Sequence, residues 1–359
     1  MTEENLAELE SLGDSIASVL TEECTSLAVH AFIDGKSRLD RTLWDRATEL
    51  GWLAIGLPEQ RGGLGLGARG LALLLGQLGG HAAPGPFLST LCAAQALVDA
   101  APTTGVDEWL KQIAAGKCRI AIPAQIDYGD PHSDGTRLFL GEANSELLLA
   151  PLDGGSWGLF RQHSAAVVRQ SMWDRTRTLV RVNLREAERV ARIADGAAFA
   201  QRLKIYLSLG LAADSLAGAR ALLDKTIAYM KERRQFDRPI ASFQALKHRL
   251  ADMMTMIVAG APTMEQALSS VSDASPDAEL WSSLAKAKLT EDFAFISQDC
   301  LQLHGGVGFT WEFDVHVFLK RARLNEMLLA PGWIMRDRAA QALAAAVAEQ
   351  RSTLDLPVV

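Results

Sequence analysis

From Ala197 to Arg233 the chain is rich in alanine and leucine, carries few charges and contains no proline. A helix with so little polar surface has to be buried on most sides, which fixes it as the centre of whatever the chain folds into. Pro239 ends the run. Ser242 is then placed to cap a second helix running through Met256, and Pro276 with Asp277 and Glu279 opens a third that runs to His304. Trp311 to Leu329 and Ile334 to Gln350 supply the last two helices.

Upstream the texture changes twice. From Asn5 to about Ile113 apolar residues recur at helical spacing, as in Leu43, Trp44, Ala47 and Leu50, with Gly/Pro-rich turns at Gly56 to Gly67 and Gly79 to Pro86. After Gly116 come short β-type runs at Cys118 to Pro123, Thr136 to Leu140, Glu146 to Ala150, Ala166 to Arg169 and Thr178 to Val182. A chain of 359 residues is too long for one small core, so the expected organisation has three parts. These are an all-α amino-terminal domain over 1–117, a reduced middle β-domain over 118–191 and an α-helical bundle over 192–359.

Apolar residues make up 48% and charged residues 22%, as in a folded soluble protein, and the net charge of -7 gives no basic face for nucleic acid or an anionic membrane. No apolar run reaches the roughly 18 residues of a membrane span, and Met1 to Glu10 is acidic and unlike a signal peptide, so the expected location is the cytoplasm. Cys24, Cys92, Cys118 and Cys300 lack ligand spacing and are expected to be small buried hydrophobes. Asp214, in an apolar helix, needs a partner, with Arg220 or a neighbouring helix the candidates. Glu312 and His316 are four apart and could pair. No metal site or Ser/His/Asp set is evident.

On spacing alone, Arg233 and Arg234 are cations at a helix end, where the dipole favours them, and Gly305-Gly306-Val307-Gly308 is a helix C-cap and turn. Their surroundings add more. The stretch Lys231-Glu-Arg-Arg-Gln-Phe followed by Phe243-Gln244, and then Leu301-Gln-Leu-His-Gly-Gly-Val-Gly-Phe-Thr310, resemble the two flavin-binding signatures of the acyl-CoA dehydrogenase family. Leu50 to Gly65 and Ala83 to Phe87 resemble that family's amino-terminal helical domain.

The resemblance implies an acyl-CoA dehydrogenase fold, FAD as cofactor and α,β-dehydrogenation of an acyl-CoA thioester, with an acceptor such as electron-transfer flavoprotein downstream. By position it implies that Arg233 grips the cofactor pyrophosphate, that Gln235 and Phe236 line its path, and that Gln244 bonds toward the adenosine half. Gln302, His304, Gly305 and Gly306 would approach the flavin of a neighbouring subunit.

The departures are as informative. The usual base position falls at Leu329, followed by Ala330 and Pro331, and the alternative position on the long helix falls near Leu207. Neither can take a proton. Glu326, one helical turn before Leu329, is the nearest acid and fits a solvated or paired helix residue. The acidic-Gly-Ser loop that covers the flavin ring is missing, and Asp127 to Asp134 is a poor substitute. This pattern resembles the smaller subunit of bacterial heteromeric (α2β2) acyl-CoA dehydrogenases, including those acting on steroid side chains, in which a homologous partner supplies the base. A homo-oligomeric enzyme with an atypical base, or a flavin-free scaffold, are the alternatives.

Overall fold

The computed structural model describes residues 3–100, 105–126, 136–185 and 187–353. The turn Asp127 to Asp134 lies outside the described residues. The chain opens with six helices: α1 (Glu3–Glu23), α2 (Ser26–Ile33), α3 (Leu39–Glu49), α4 (Gly67–Gly80), α5 (Phe87–Val98) and α6 (Val106–Ala114). Thr25 caps α2, its Oγ1 accepting from the Ala28 N–H at 3.2 Å.

A seven-stranded sheet follows, made of β1 (Ile120–Pro123), β2 (Thr136–Leu140), β3 (Leu147–Pro151), β4 (Trp157–Arg161), β5 (Ala166–Arg169), β6 (Leu179–Asn183) and β7 (Arg189–Ile193). The spatial order is β5-β6-β2-β1-β3-β4-β7, with β1 and β3 parallel and every other pair antiparallel. One face packs Phe139, Leu148, Phe160, Val180 and Val182 into a small core of its own, and the other face joins the main core.

The remainder is helical: α7 (Gly196–Glu232), a two-stranded hairpin of β8 (Arg234–Gln235) and β9 (Arg238–Pro239), then α8 (Gln244–Ser272), α9 (Ala278–His304), α10 (Val315–Met327) and α11 (Gly332–Ala348). Asp195 caps α7, accepting from the Ala198 N–H at 3.3 Å. As its composition requires, α7 is the central helix, flanked by α4, α5, α8, α9 and α10. Gly79 lets α4 approach closely, because a Cβ there would run into the Asp214 backbone.

Several local expectations need correcting. Ser242 does not cap α8; it sits in a short 3-10 turn, and Phe243 stands at the N-cap with no side-chain bond. That helix also continues well past Met256, through Pro262 to Ser272. Helix α10 starts at Val315, so Glu312 precedes it and is not one helical turn from His316. His316 instead packs edge-on against His30 and Trp311, with ring centroids 5.5 and 4.9 Å away. All four cysteines are buried and free.

Candidate functional site

Helix α7 ends at Glu232, and the hairpin that follows turns on Phe236 and Asp237, whose φ values are +51° and +61°. Two successive left-handed residues are what a tight two-residue hairpin needs, but glycine or asparagine normally supplies them. Phe236 is also 85% exposed, so a strained residue presents an aromatic ring to solvent. Around it, the Arg234 Nη2 donates to the Asp237 carbonyl at 2.6 Å, and the Arg238 guanidinium lies 4.0 Å over the Phe243 ring. Arg233 is exposed at the helix end with no ion pair among the described residues. Gln235 bonds back to the Arg234 carbonyl at 2.8 Å, and the exposed Gln244 meets His248 at 3.4 Å. Together these make an exposed tip rich in guanidinium and aromatic groups, suited to an anion joined to a flat ring system.

The second element adjoins the first. Tyr229, in the last turn of α7, stacks on His304, in the last turn of α9, with centroids 4.3 Å apart and rings 12° from parallel. The His304 Nδ1–H donates to the Cys300 carbonyl at 2.8 Å, which fixes the buried ring, and burial lowers its pKa. Its ring points away from the exposed face of the Gly turn, while its Cβ packs against Gly308. Gly305 has φ +64°, and Cβ atoms built on Gly305 or Gly306 would meet nothing within 4 Å. Internal packing does not require glycine at Gly306; the open space lies on the outer side. Gln302 is exposed beside it.

The position of the expected base is closed. Leu329 is fully buried with φ +67°; its N–H donates to the Ala124 carbonyl at 2.8 Å and its carbonyl accepts from Ile126 at 3.4 Å. Leu207 is 1% exposed. The Glu326 carboxylate accepts from Arg323 Nη1 at 2.6 Å, an i,i+3 pair on the surface of α10. Beneath this turn lies Lys286, which the sequence reading overlooked. Its Nζ donates to the carbonyls of Glu326, at 2.9 Å, and Ala330, and burial pushes its pKa down to about 7.

A buried ionic group sits behind the turn. Asp214 accepts from Arg321 Nη2 at 2.6 Å, Arg177 Nη2 at 2.8 Å and Asn325 Nδ2 at 2.7 Å. Arg321 Nη1 also reaches the Ala83 carbonyl and Thr176 Oγ1, so α7, α10, the β5–β6 connection and the α4–α5 turn are tied together around one buried carboxylate. Arg220 is not the partner of Asp214. It extends to Met254, its Nη1 3.1 Å from the sulfur.

Residues 7–117 match the acyl-CoA dehydrogenase N-terminal domain and residues 188–344 the acyl-CoA dehydrogenase C-terminal domain. The chain belongs to the acyl-CoA dehydrogenase family, whose members are oxidoreductases acting on CH–CH bonds. Acyl-CoA dehydrogenase IpdE2 of Mycobacterium tuberculosis is 30% identical over 92% of this chain and 95% of its own length. IpdE2 of Mycolicibacterium smegmatis is 29% identical over 90% and 95%. Among solved structures, a variant of the Tcur3481-Tcur3483 steroid acyl-CoA dehydrogenase superposes with a TM-score of 0.85 at 26% identity, covering 95% of this chain and 99% of that one. The ChsE4-ChsE5 complex from Mycobacterium tuberculosis has a TM-score of 0.81 at 24% identity, covering 96% and 98%, a likeness of fold. No single described helix is long and apolar enough to cross a membrane.

Proposed function

We propose that the chain is the smaller, non-catalytic-type subunit of a cytoplasmic heteromeric (α2β2) acyl-CoA dehydrogenase, organised as domains over 1–117, 118–191 and 192–359. It holds the adenosine-diphosphate part of FAD, while a homologous partner subunit supplies the ring cover, the base and most of the acyl pocket. The observation that carries this reading is Leu329: where an acid is expected, a buried leucine stands with both backbone groups bonded.

The chain's own residues suit the FAD role. Arg233 offers an exposed guanidinium to the pyrophosphate, and Gln235, Phe236 and Gln244 extend the contact along the hairpin and the start of α8. Gln302, Gly305 and Gly306 present an open main-chain surface, and the stacked His304 holds that turn in place. When bound, FAD would supply the hydride-accepting chemistry of the dehydrogenation. The acyl-CoA substrate carries a steroid side chain in this reading, supported by the steroid acyl-CoA dehydrogenase whose structure is similar, and electron-transfer flavoprotein is the class of acceptor.

Expression of the chain alone and together with its partner, with FAD measured by absorbance against protein, tests the assignment. Alone, the chain should retain little FAD; the complex should carry one FAD for each pair of unlike subunits. Stoichiometric FAD with turnover in the isolated chain would overturn the reading.

A further inference from the structure

Helices α1, α4, α7 and α8 enclose a groove of about 890 Å³ whose lining includes no residue of the Gly turn or the hairpin. Its volume lies within the roughly 300–1,000 Å³ of sites for small organic molecules. The floor is apolar, formed by Leu73, Leu216, Ile257 and Met264. One end is polar, with the hydroxyls of Thr21, Thr25 and Ser26. The Thr25 oxygen accepts from the Ala28 N–H, which leaves its own O–H available as a donor among the lining residues.

The charges around the groove cancel. Arg69 is paired with Glu265 at 2.6 Å and Lys225 with Asp314 at 2.8 Å. Arg220 and Asp224, one turn apart on α7, carry opposite signs. Counted with Glu265 and Asp314, the formal charges sum to zero, so no surplus cation is left to offset the desolvation of an anion, and a fatty-acid carboxylate or a phosphate is a poor occupant. We propose that this groove binds an uncharged, largely apolar lipid with a carbonyl or hydroxyl oxygen at one end. The oxygen accepts from Thr25 and the hydrocarbon body covers Leu216, Ile257 and Met264. This site is independent of the flavin reading.

Titration calorimetry of the full chain with progesterone, an uncharged ketone of this type, tests the proposal, with palmitate as the anionic comparison. Saturable progesterone binding is expected. Ala261→Phe, which fills the groove from an exposed position on α8, should weaken it by about tenfold or more. The melting temperature should stay unchanged, and Ala221→Leu, from α7, should act in the same direction. Absence of saturable binding, affinity unchanged from the parent in both filled variants, or tighter binding of palmitate that depends on Arg220 would each overturn the proposal. Loss of progesterone binding on adding the partner subunit would also overturn it, by showing that the groove is a subunit contact.

Discussion

Asp214→Asn keeps the shape of the side chain and removes only its charge. In the folded protein this carboxylate faces Arg177 at 2.8 Å and Arg321 at 2.6 Å, with all three residues at most 6% exposed. Its removal leaves two buried guanidinium groups without their shared carboxylate; the nearby Asp174, which bonds Thr176 through its Oδ1, remains to offset part of their charge. Breaking a buried pair from one side costs about 3–5 kcal/mol. With an unfolding entropy near 2.1 cal/mol/K per residue over 359 residues, the melting temperature should drop by about 4–7 °C. Burial by itself would raise the Asp214 pKa, but Arg177 and Arg321 more than offset it and hold the group at about 2, against an ordinary 3.8. Because the folded value is the lower one, the stabilisation is complete above about pH 4 and is lost as pH falls toward 2. Thermal melts followed by circular dichroism, at neutral pH and down an acid series, give both quantities. Replacing the set together, Asp214→Leu with Arg177→Met and Arg321→Met, should recover part of the loss, because well-packed apolar groups often match a buried ionic set. A drop under about 1 °C in Asp214→Asn, with the acid dependence of the parent retained, would refute the reasoning.

Arg233→Ala should weaken flavin retention in the complex by about ten- to a hundredfold, the equivalent of roughly 1.5–3 kcal/mol, read from FAD occupancy on dilution. Glu326→Gln should leave flavin reduction by an acyl-CoA within a fewfold of the parent in stopped flow, whereas loss of a general base costs about 10²–10⁴. His316 is buried beside His30, Asp314 and Lys320; burial first, then Lys320 and His30, push its pKa down to about 4. The unfolded chain therefore takes up a proton first as pH falls, so this part of the stability is full above about pH 6.5 and declines toward 4. His316→Phe should flatten that slope in urea midpoints measured between about pH 5 and pH 7.

Local chemistry made much of the fold legible. The length and apolar composition of Ala197 to Arg233 required a central helix, and α7 is one. The β-runs at Thr136 to Leu140 and Ala166 to Arg169 coincide with β2 and β5, while β4 and β7 escaped notice. Trp157–Arg161 is short and contains Gly158, and Arg189–Ile193 places arginines at three-residue spacing, so neither shows a clean alternation. The need of Asp214 for a partner was visible in the sequence, but its identity was not. Arg177 and Arg321 lie far along the chain on either side, and spacing rules reach only a few residues. The hairpin at Phe236 and Asp237 was hidden for a different reason: left-handed backbone is signalled by glycine or asparagine, and neither is present.

Lys286 explains why the closed turn at Leu329 is more than a missing carboxylate. A buried ammonium is costly, and its lowered pKa expresses that cost, yet it donates to the Glu326 carbonyl in the last turn of α10 and to the Ala330 carbonyl. Leu329 N–H and carbonyl are both bonded to the chain just after β1, and its side chain belongs to the main core. Four hydrogen bonds, with Lys286, Ala124 and Ile126, thus hold the turn. Restoring an acid by Leu329→Glu alone would bury an unpaired carboxylate among apolar neighbours, where burial raises its pKa and favours the neutral form over the ionised one a base requires. The change from acid to leucine therefore goes with a packed, internally bonded surround, as expected of a chain whose base is supplied by another subunit.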